Sequence, residues 1–339
     1  MSSLPPSITG DFSVSDLVRE AAERSIGISR IDLSMPLPHV PSMSGMILAE
    51  EVQPGLLLSG FDITYTADGG LEADVERSVA CVAFLKGENE ALHVEGHKPI
   101  TMHAGQMGIV GYGEPRHCSR NWLRGQKNRA FGITLQPQFF ERFETFFDGD
   151  GLELLQQFLA AGVHSAALPI SWKLIEIADR TLGEPYGGAL RALHRESQAL
   201  RFTLEVAAML KADHRLARQL GVRHYDRVVQ ARQMLDSDLI NPPKLLDLAR
   251  KLGVSVTTLQ TNFKAAFGAT VFGYVRERRL EMGRHLIVEC GLGVAEAGYR
   301  VGFTNAAAFS TAYRRHFGLP ATNERLLQIG REEALREQN

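Results

Sequence analysis

Cysteine is scarce in this 339-residue chain: Cys81, Cys118 and Cys290 are odd in number, widely spaced and outside any CxxC pair. That argues against a disulfide framework and against a cysteine-ligated zinc site, and it makes a reducing cytoplasm the expected location. Long apolar runs are missing too. The longest spans residues 79–85, seven in a row, against the roughly 20 that cross a bilayer, so no membrane partner is expected. Residues 1–10 lack the basic-then-apolar order of a secretory leader. No phosphate-cradling loop is present, and Gly111-Tyr112-Gly113 lacks the third glycine of a dinucleotide fingerprint. No cofactor is therefore expected.

Net charge is small as well, −2 from 37 basic and 39 acidic side chains, but the balance is uneven. Residues 222–339 hold 17 Lys+Arg against 12 Asp+Glu, a net of +5, which leaves −7 for residues 1–221. A basic part joined to an acidic one suits a protein that meets a polyanion at one end, where phosphate contacts give salt-sensitive affinity. The length suggests two domains, 1–221 and 222–339, and the hydrophobic texture changes accordingly. Val14–Glu23 reads as a helix, closed off by Pro36, Pro38 and Pro41. Residues 56–66, 79–86, 91–94 and 106–112 read as short β-branched strands between Gly/Pro/Asp clusters. They predict an antiparallel sandwich or barrel over about residues 40–135. After Pro137 the period turns helical, in 138–147, 152–159, 169–182 and a long helix from 189 to about Leu220, ended by Gly221. On that helix Leu190, Leu193, Leu200, Leu204 and Ala207 fall at three- and four-residue spacing. Such a stripe suits a core face and a dimerisation surface equally well.

The carboxyl-terminal part contains one pattern twice. The first copy is residues 245–268, LLDLARKLGVSVTTLQTNFKAAFG. Leu245, Leu248, Ala249 and Leu252 share one face of a short helix, Gly253 supplies a tight turn, and Ser255 is a good N-cap for the next helix. In that second helix Leu259, Phe263 and Phe267 point inward at four-residue spacing. The second copy is residues 294–318, VAEAGYRVGFTNAAAFSTAYRRHFG, with Gly302 as turn, Thr304 or Asn305 as cap, and Phe309, Tyr313 and Phe317 inward. Between them, residues 272–288 read as one helix with Tyr274, Leu280 and Leu286 toward the core. Each copy is a helix-turn-helix whose second helix presents short polar residues first and basic ones later. Thr257, Thr258, Gln260, Thr261, Ala306, Ala307, Ser310 and Thr311 are the candidate base-contacting residues, and Lys264, Arg300, Arg314 and Arg315 the candidate phosphate contacts. A rigid connecting helix would let both second helices enter successive major grooves, roughly 34 Å apart.

At these residues the chain resembles the AraC/XylS family of bacterial transcription regulators. Gly302-Phe303, the Phe309…Tyr313-Arg314-Arg315…Phe317-Gly318 run and the Arg278-Arg279-Leu280 entry to the linker helix carry the resemblance, which covers about residues 222–325. It implies an α+β two-domain protein: an amino-terminal cupin-like antiparallel β domain with dimerisation helices, then an all-α domain of two helix-turn-helix motifs joined by a linker helix. It also implies a non-enzymatic homodimeric regulator that binds promoter double-stranded DNA and, as an activator, meets RNA polymerase. Three departures stand out. Gly298 replaces the family's usual alanine, at an expected cost of about 0.8–1 kcal/mol in a helix. Pro320 comes one residue early, leaving Ala321 in its slot. Residues 306–308 are all alanine, able to touch a thymine methyl but not to hydrogen-bond a base. Direct readout is therefore expected chiefly from the first copy, through Gln260.

The resemblance also implies an effector in the amino-terminal half. Thr258-Leu259-Gln260 and TVFGYVRERRL at 270–280 look most like the branch that responds to ferric siderophores. Separately, Arg116, Arg120 and Arg124 recur every four residues, with Arg129 close behind and Trp122 available to stack on a base. That spacing resembles the RxxxR element with which PilZ domains hold cyclic di-GMP, although no downstream DxSxxG-type element follows. The effector is expected to be a small anion. His93, His97 and His103 lack the HxH pair and following glutamate of metal-binding cupins, so no metal is expected, and His117 beside Cys118 has no companion acid in sequence. The alternatives are a cupin-type metal enzyme fused to a DNA-binding domain and a constitutive dimeric DNA-binding protein without a small ligand.

Overall fold

Alternate residues of the strand spanning 79–85 are buried with no exposed face between them, which an antiparallel strand shows only when both sides of its sheet are covered. The computed structural model shows what covers them. It describes residues 7–23, 28–32, 40–87, 90–102, 104–143, 151–288 and 291–324. The described strands β1 to β12 are, in order, Ser7–Phe12, Ile28–Asp32, Met43–Gln53, Leu56–Tyr65, Gly69–Val75, Ser78–Lys86, Glu90–Val94, Ile100–Met102, Gln106–Tyr112, Arg116–Trp122, Lys127–Leu135 and Val163–Pro169. They form a seven-stranded sheet, β1-β3-β4-β11-β6-β9-β12, and a five-stranded sheet, β2-β5-β10-β7-β8. All pairings are antiparallel. Two apolar clusters join the sheets face to face: one around Phe12, Tyr65 and Trp122, another around Val94, Tyr112 and Cys118.

The outer face of the larger sheet, through Leu58, Cys81, Ile109 and Phe131, packs on helices. These are α1 to α5 in chain order: Val14–Glu23, Pro137–Glu141, Leu152–Gln156, Trp172–Leu182 and Gly188–Leu220, of which α1 lies outside this cluster. Several expectations change here. The helix expected over 138–147 is only the short α2, and residues 144–147 lie outside the described residues. The helix expected from 169 starts instead at Trp172, because Ser171 caps it by accepting from the Leu174 amide, while residues 163–169 pair with β9 as an edge strand. Beyond the four strands expected from the sequence, the described residues form eight more, β1, β2, β3, β5, β8, β10, β11 and β12; in β5 and β10 the outward residues are polar (Glu72, Asp74, His117, Ser119) and dilute the apolar signal. The stripe on α5 divides. Ala199, Phe202, Val206, Ala207 and Leu210 face the core, whereas Leu190, Leu193 and Leu204 are 60–69% exposed.

Helices α6 to α11 follow, Val222–Asp236, Leu245–Lys251, Val256–Phe267, Val271–Val288, Val294–Arg300 and Ala306–Phe317, and then a helical turn at residues 321–324. The chain divides into two compact units at 213/214, inside α5 rather than at Gly221. The reason is packing: Leu216 and Leu220, in the last turns of α5, lie against the core of the first helix-turn-helix. Among the described residues no helix is long and apolar enough to cross a membrane.

Candidate nucleic-acid interface

The two copies of the pattern fold alike. Helices α7 and α8 meet at Gly253, whose φ of +63° needs a residue without a Cβ, and α10 and α11 meet at Gly302, φ +85°. Ser255 caps α8, its Oγ accepting from the Thr258 amide at 3.0 Å; of the two candidates in the second copy, Asn305 is the cap of α11, with Oδ1 accepting from the Ala308 amide at 2.7 Å. Gly268 and Gly318 close the two helices in the left-handed conformation. Leu259 and Phe263 in α8 and Phe309 and Tyr313 in α11 are buried. The last aromatic of each copy carries a guanidinium 5.2 Å from its ring, Arg232 over Phe267 and Arg284 over Phe317.

With their aromatic faces buried, the helices present the opposite side. Thr257, Thr261 and Lys264 on α8 are exposed and Gln260 is half-buried; on α11, Ala307, Ser310, Thr311, Arg314 and Arg315 are exposed and Ala306 is half-buried. Thr258 is half-buried, and its hydroxyl lies 2.8 Å from Ser255 Oγ, within the cap. Arg300, at the end of α10, is exposed and pairs with Glu296 at 2.9 Å. An exposed i,i+4 pair of this kind is weak enough to open for a phosphate.

Behind this face lie polar contacts that sequence reasoning did not find. Tyr274 Oη donates to the Asp236 carboxylate at 2.9 Å, and Arg278 lies beside Asp236 at 3.6 Å and Glu281 at 2.6 Å. Burial raises the Asp236 pKa, with Arg278 and Tyr274 opposing that shift. Glu324 accepts from Tyr313 Oη and pairs with Arg284 at 3.0 Å. Residues 321–324 are helical with Ala321 buried, so the early Pro320 directly precedes a first helical turn, a position that proline tolerates. The Tyr274–Asp236 and Arg284–Glu324 pairs join residues 38 and 40 apart, and such tertiary pairs leave no local pattern.

In the β domain the arginines do not converge. Arg116 and Arg120 sit on the same face of β10 as Cys118 and Trp122, the face turned toward the larger sheet, and four extended residues put their Cα atoms roughly 13 Å apart. Arg116 pairs with Glu114. The Arg120 guanidinium lies 5.5 Å from the Phe61 ring centroid and 5.9 Å from that of Trp122. Arg124 lies beyond the strand, in an exposed turn where its backbone amide donates to Asp68 Oδ1 at 2.7 Å. Trp122 is buried and stacked on Tyr65 at 4.8 Å, so its indole is already sandwiched in the core and is not open to a base. Arg129 pairs with Asp179 at 2.7 Å, tying α4 to the sheet.

His117 does have companion acids, on the paired strand. Its Nδ1 is 2.9 Å from Asp74 and its Nε2 3.7 Å from Glu72, and the hydrogen bond to Asp74 raises its pKa. Sequence missed them because Asp74 is 43 residues away and meets His117 only through the β5–β10 register. His93 lies on β7 and His97 in the turn after it, with Nδ1 2.7 Å from the Lys98 carbonyl; His103 lies outside the described residues. Among the described residues no group of three or more His, Cys, Asp or Glu is placed to hold a metal ion.

Comparison with known proteins agrees with both halves. A family model described as the Regulatory protein PchR N-terminal domain matches residues 44–221, and one described as Helix-turn-helix domain matches residues 248–325. The HTH-type transcriptional regulator ExsA of Pseudomonas aeruginosa is 23% identical over 60% of this chain and 72% of its own length. The Virulence regulon transcriptional activator VirF of Yersinia enterocolitica is 27% identical over 33% of this chain and 40% of its own. The Regulatory protein PchR of Pseudomonas aeruginosa is 31% identical over 30% of this chain and 35% of its own. The chain thus spans less than half the length of the last two.

Proposed function

Because the chain belongs to the AraC/XylS family of transcription regulators, with the PchR N-terminal domain as its amino-terminal half, we infer that it activates promoters as a homodimer governed by a small anionic effector. The observation that carries this reading is the paired exposed face of α8 and α11. Two capped helices bury their aromatic sides and offer Thr257, Thr261, Ser310 and Thr311 beside Lys264, Arg314 and Arg315. Short polar groups near the helix starts suit base edges, and the basic groups farther along suit phosphates. The full-length protein should select a common sequence from a randomised duplex pool and hold it against random competitor. Enrichment of no sequence would defeat the reading. Promoter binding places the protein with the chromosome, in the cytoplasm.

Activation, and with it contact with RNA polymerase, is supported by the similarity to VirF, a transcriptional activator. Dimerisation is supported by α5, a 33-residue helix with Leu190, Leu193 and Leu204 exposed at a spacing that suits a helix–helix seam. For the effector, the segments that resemble the siderophore-responsive branch support a ferric siderophore. A cyclic dinucleotide needs guanidinium forks side by side, and Arg116, Arg120 and Arg124 are separated along and beyond one strand. Arg120, between Phe61 and Trp122, is the proposed anchor. Since a ligand that binds only the folded state raises its melting temperature, a ferric siderophore panel should raise it where the iron-free chelators and cyclic di-GMP do not. A shift with cyclic di-GMP alone would reverse the choice, and no shift with any of them would favour a constitutive dimer.

A further inference from the structure

The two helical modules have separate cores. Val228, Leu248 and Phe263 pack with Tyr274 and Val275 on the first half of α9, whereas Val301, Phe309 and Tyr313 pack with Leu280 and Ile287 on its second half. Apolar burial is non-directional, so neither core alone specifies how α8 is oriented relative to α11. At the junction, midway along α9, stands Arg279. Its Nε donates to the Leu239 carbonyl at 2.7 Å and its Nη2 to the Ile240 carbonyl at 2.8 Å, both in the segment between α6 and α7. Its Nη1 donates to the Gly302 carbonyl at 3.1 Å, in the turn between α10 and α11. A Cβ on Gly302 would lie 3.1 Å from Arg279 Cζ, so this turn is drawn close against the guanidinium. One planar fork, projecting from the connecting helix, therefore grips a backbone segment of each module. Because its donors are fixed relative to one another, three carbonyls from two modules satisfy it in one mutual arrangement.

We propose that Arg279 is the positioning residue that sets the spacing and phase of the two recognition helices, and so decides which half-site separation on duplex DNA the protein accepts. The proposal rests on reading α8 and α11 as two DNA probes. Inserting one base pair between half-sites moves the second by about 3.4 Å and by about 34° around the duplex. A rigid pair of probes loses one half-site to that displacement, and a loosened pair follows it.

The test measures fluorescence anisotropy of the full-length protein on a duplex that the wild type has selected from a randomised pool. The same duplex with one base pair inserted or removed between its halves serves for comparison. The wild type should lose at least about 30-fold in affinity on altered spacing, equivalent to one or two mismatched positions. Arg279→Ala should lose less than about 5-fold on altered spacing, on the same scale. Arg279→Lys should resemble it, because an ammonium cannot span the three carbonyls. The ratio between duplexes is the readout, since a merely less stable protein weakens on all of them alike. Thermal melts accompany each variant, and Arg279→Lys carries the comparison should Arg279→Ala fail to fold. A folded variant that keeps the wild-type spacing penalty overturns the proposal and leaves the two-probe reading standing. A wild type indifferent to spacing overturns both.

Discussion

Gly298 occupies the middle of a helix, where a glycine costs stability that an alanine would restore if propensity alone decided. Its surroundings reverse that sign. A Cβ there would meet Phe309 Cβ and Cγ at 2.9 Å, and one on Gly283 would meet the far edge of the same ring at 2.7 Å. Phe309 is thus wedged between two glycines on α10 and α9, and atoms so near its own backbone cannot swing away. Gly298→Ala should lose roughly 1–3 kcal/mol through overpacking rather than gain about 1, as read from urea unfolding; a midpoint at or above wild type would show that the ring yields freely. On the exposed face proposed to meet DNA the residue types predict different failures. Gln260→Ala should relax preference at one base position in a binding-site selection, because a bidentate amide partner is removed. Arg314→Ala should weaken binding to all sequences alike and reduce the slope of log affinity against log salt by about 0.9.

The caps set where α8 and α11 begin. Ser255 holds the start of α8 through the Thr258 amide, and Asn305 does the same for α11 through the Ala308 amide. Ser255→Ala should cost about 1 kcal/mol of stability and fray the turn that carries Thr257 and Gln260, so affinity for the selected duplex should fall along with the unfolding midpoint. An unchanged affinity despite a lower midpoint would mean that the first turn of α8 does not touch DNA. Helix α5 teaches a different lesson about elements. Its sequence stripe suggested one face, but the core face is set by Ala199, Phe202 and Val206 together with Arg195, which is buried and paired with Glu50 at 2.9 Å and with Glu184. The buried arginine between two carboxylates lies on that same core side, so part of the leucine stripe faces outward. Hydrophobic periodicity alone could not choose that face, because Ala199, Phe202, Val206 and Leu210 also fall at three- and four-residue spacing and the partners that select them, Glu50 on β3 among them, lie far away in sequence.

For the molecule as a whole, the exposed leucines carry the prediction of self-association. Leu193 and Leu204 are 63% and 69% exposed, so charge placed there is tolerated in an isolated chain. The double variant Leu193→Glu, Leu204→Glu should sediment as a monomer while melting within a few degrees of a monomeric wild-type sample. A dimer that survives both substitutions would place the seam elsewhere. Because two half-sites per chain become four in a dimer, the same variant should also bind long promoter duplexes more weakly through loss of avidity, without a change in base preference.

The helix-turn-helix pair was legible in the linear order because its determinants are local: turn glycines, caps within three residues, and aromatics at four-residue spacing all act within one or two helical turns. The antiparallel character of the amino-terminal half was legible from four apolar strands for the same reason. Tertiary structure alone decided the rest. It brought Arg279 to three carbonyls, Asp74 to His117, Gly298 against Phe309 and Tyr65 onto Trp122, and it dispersed three arginines whose regular spacing had suggested a clamp. Those outcomes depend on strand register and helix rotation, which follow from the summed burial of many side chains distant in sequence, and no short segment encodes that sum.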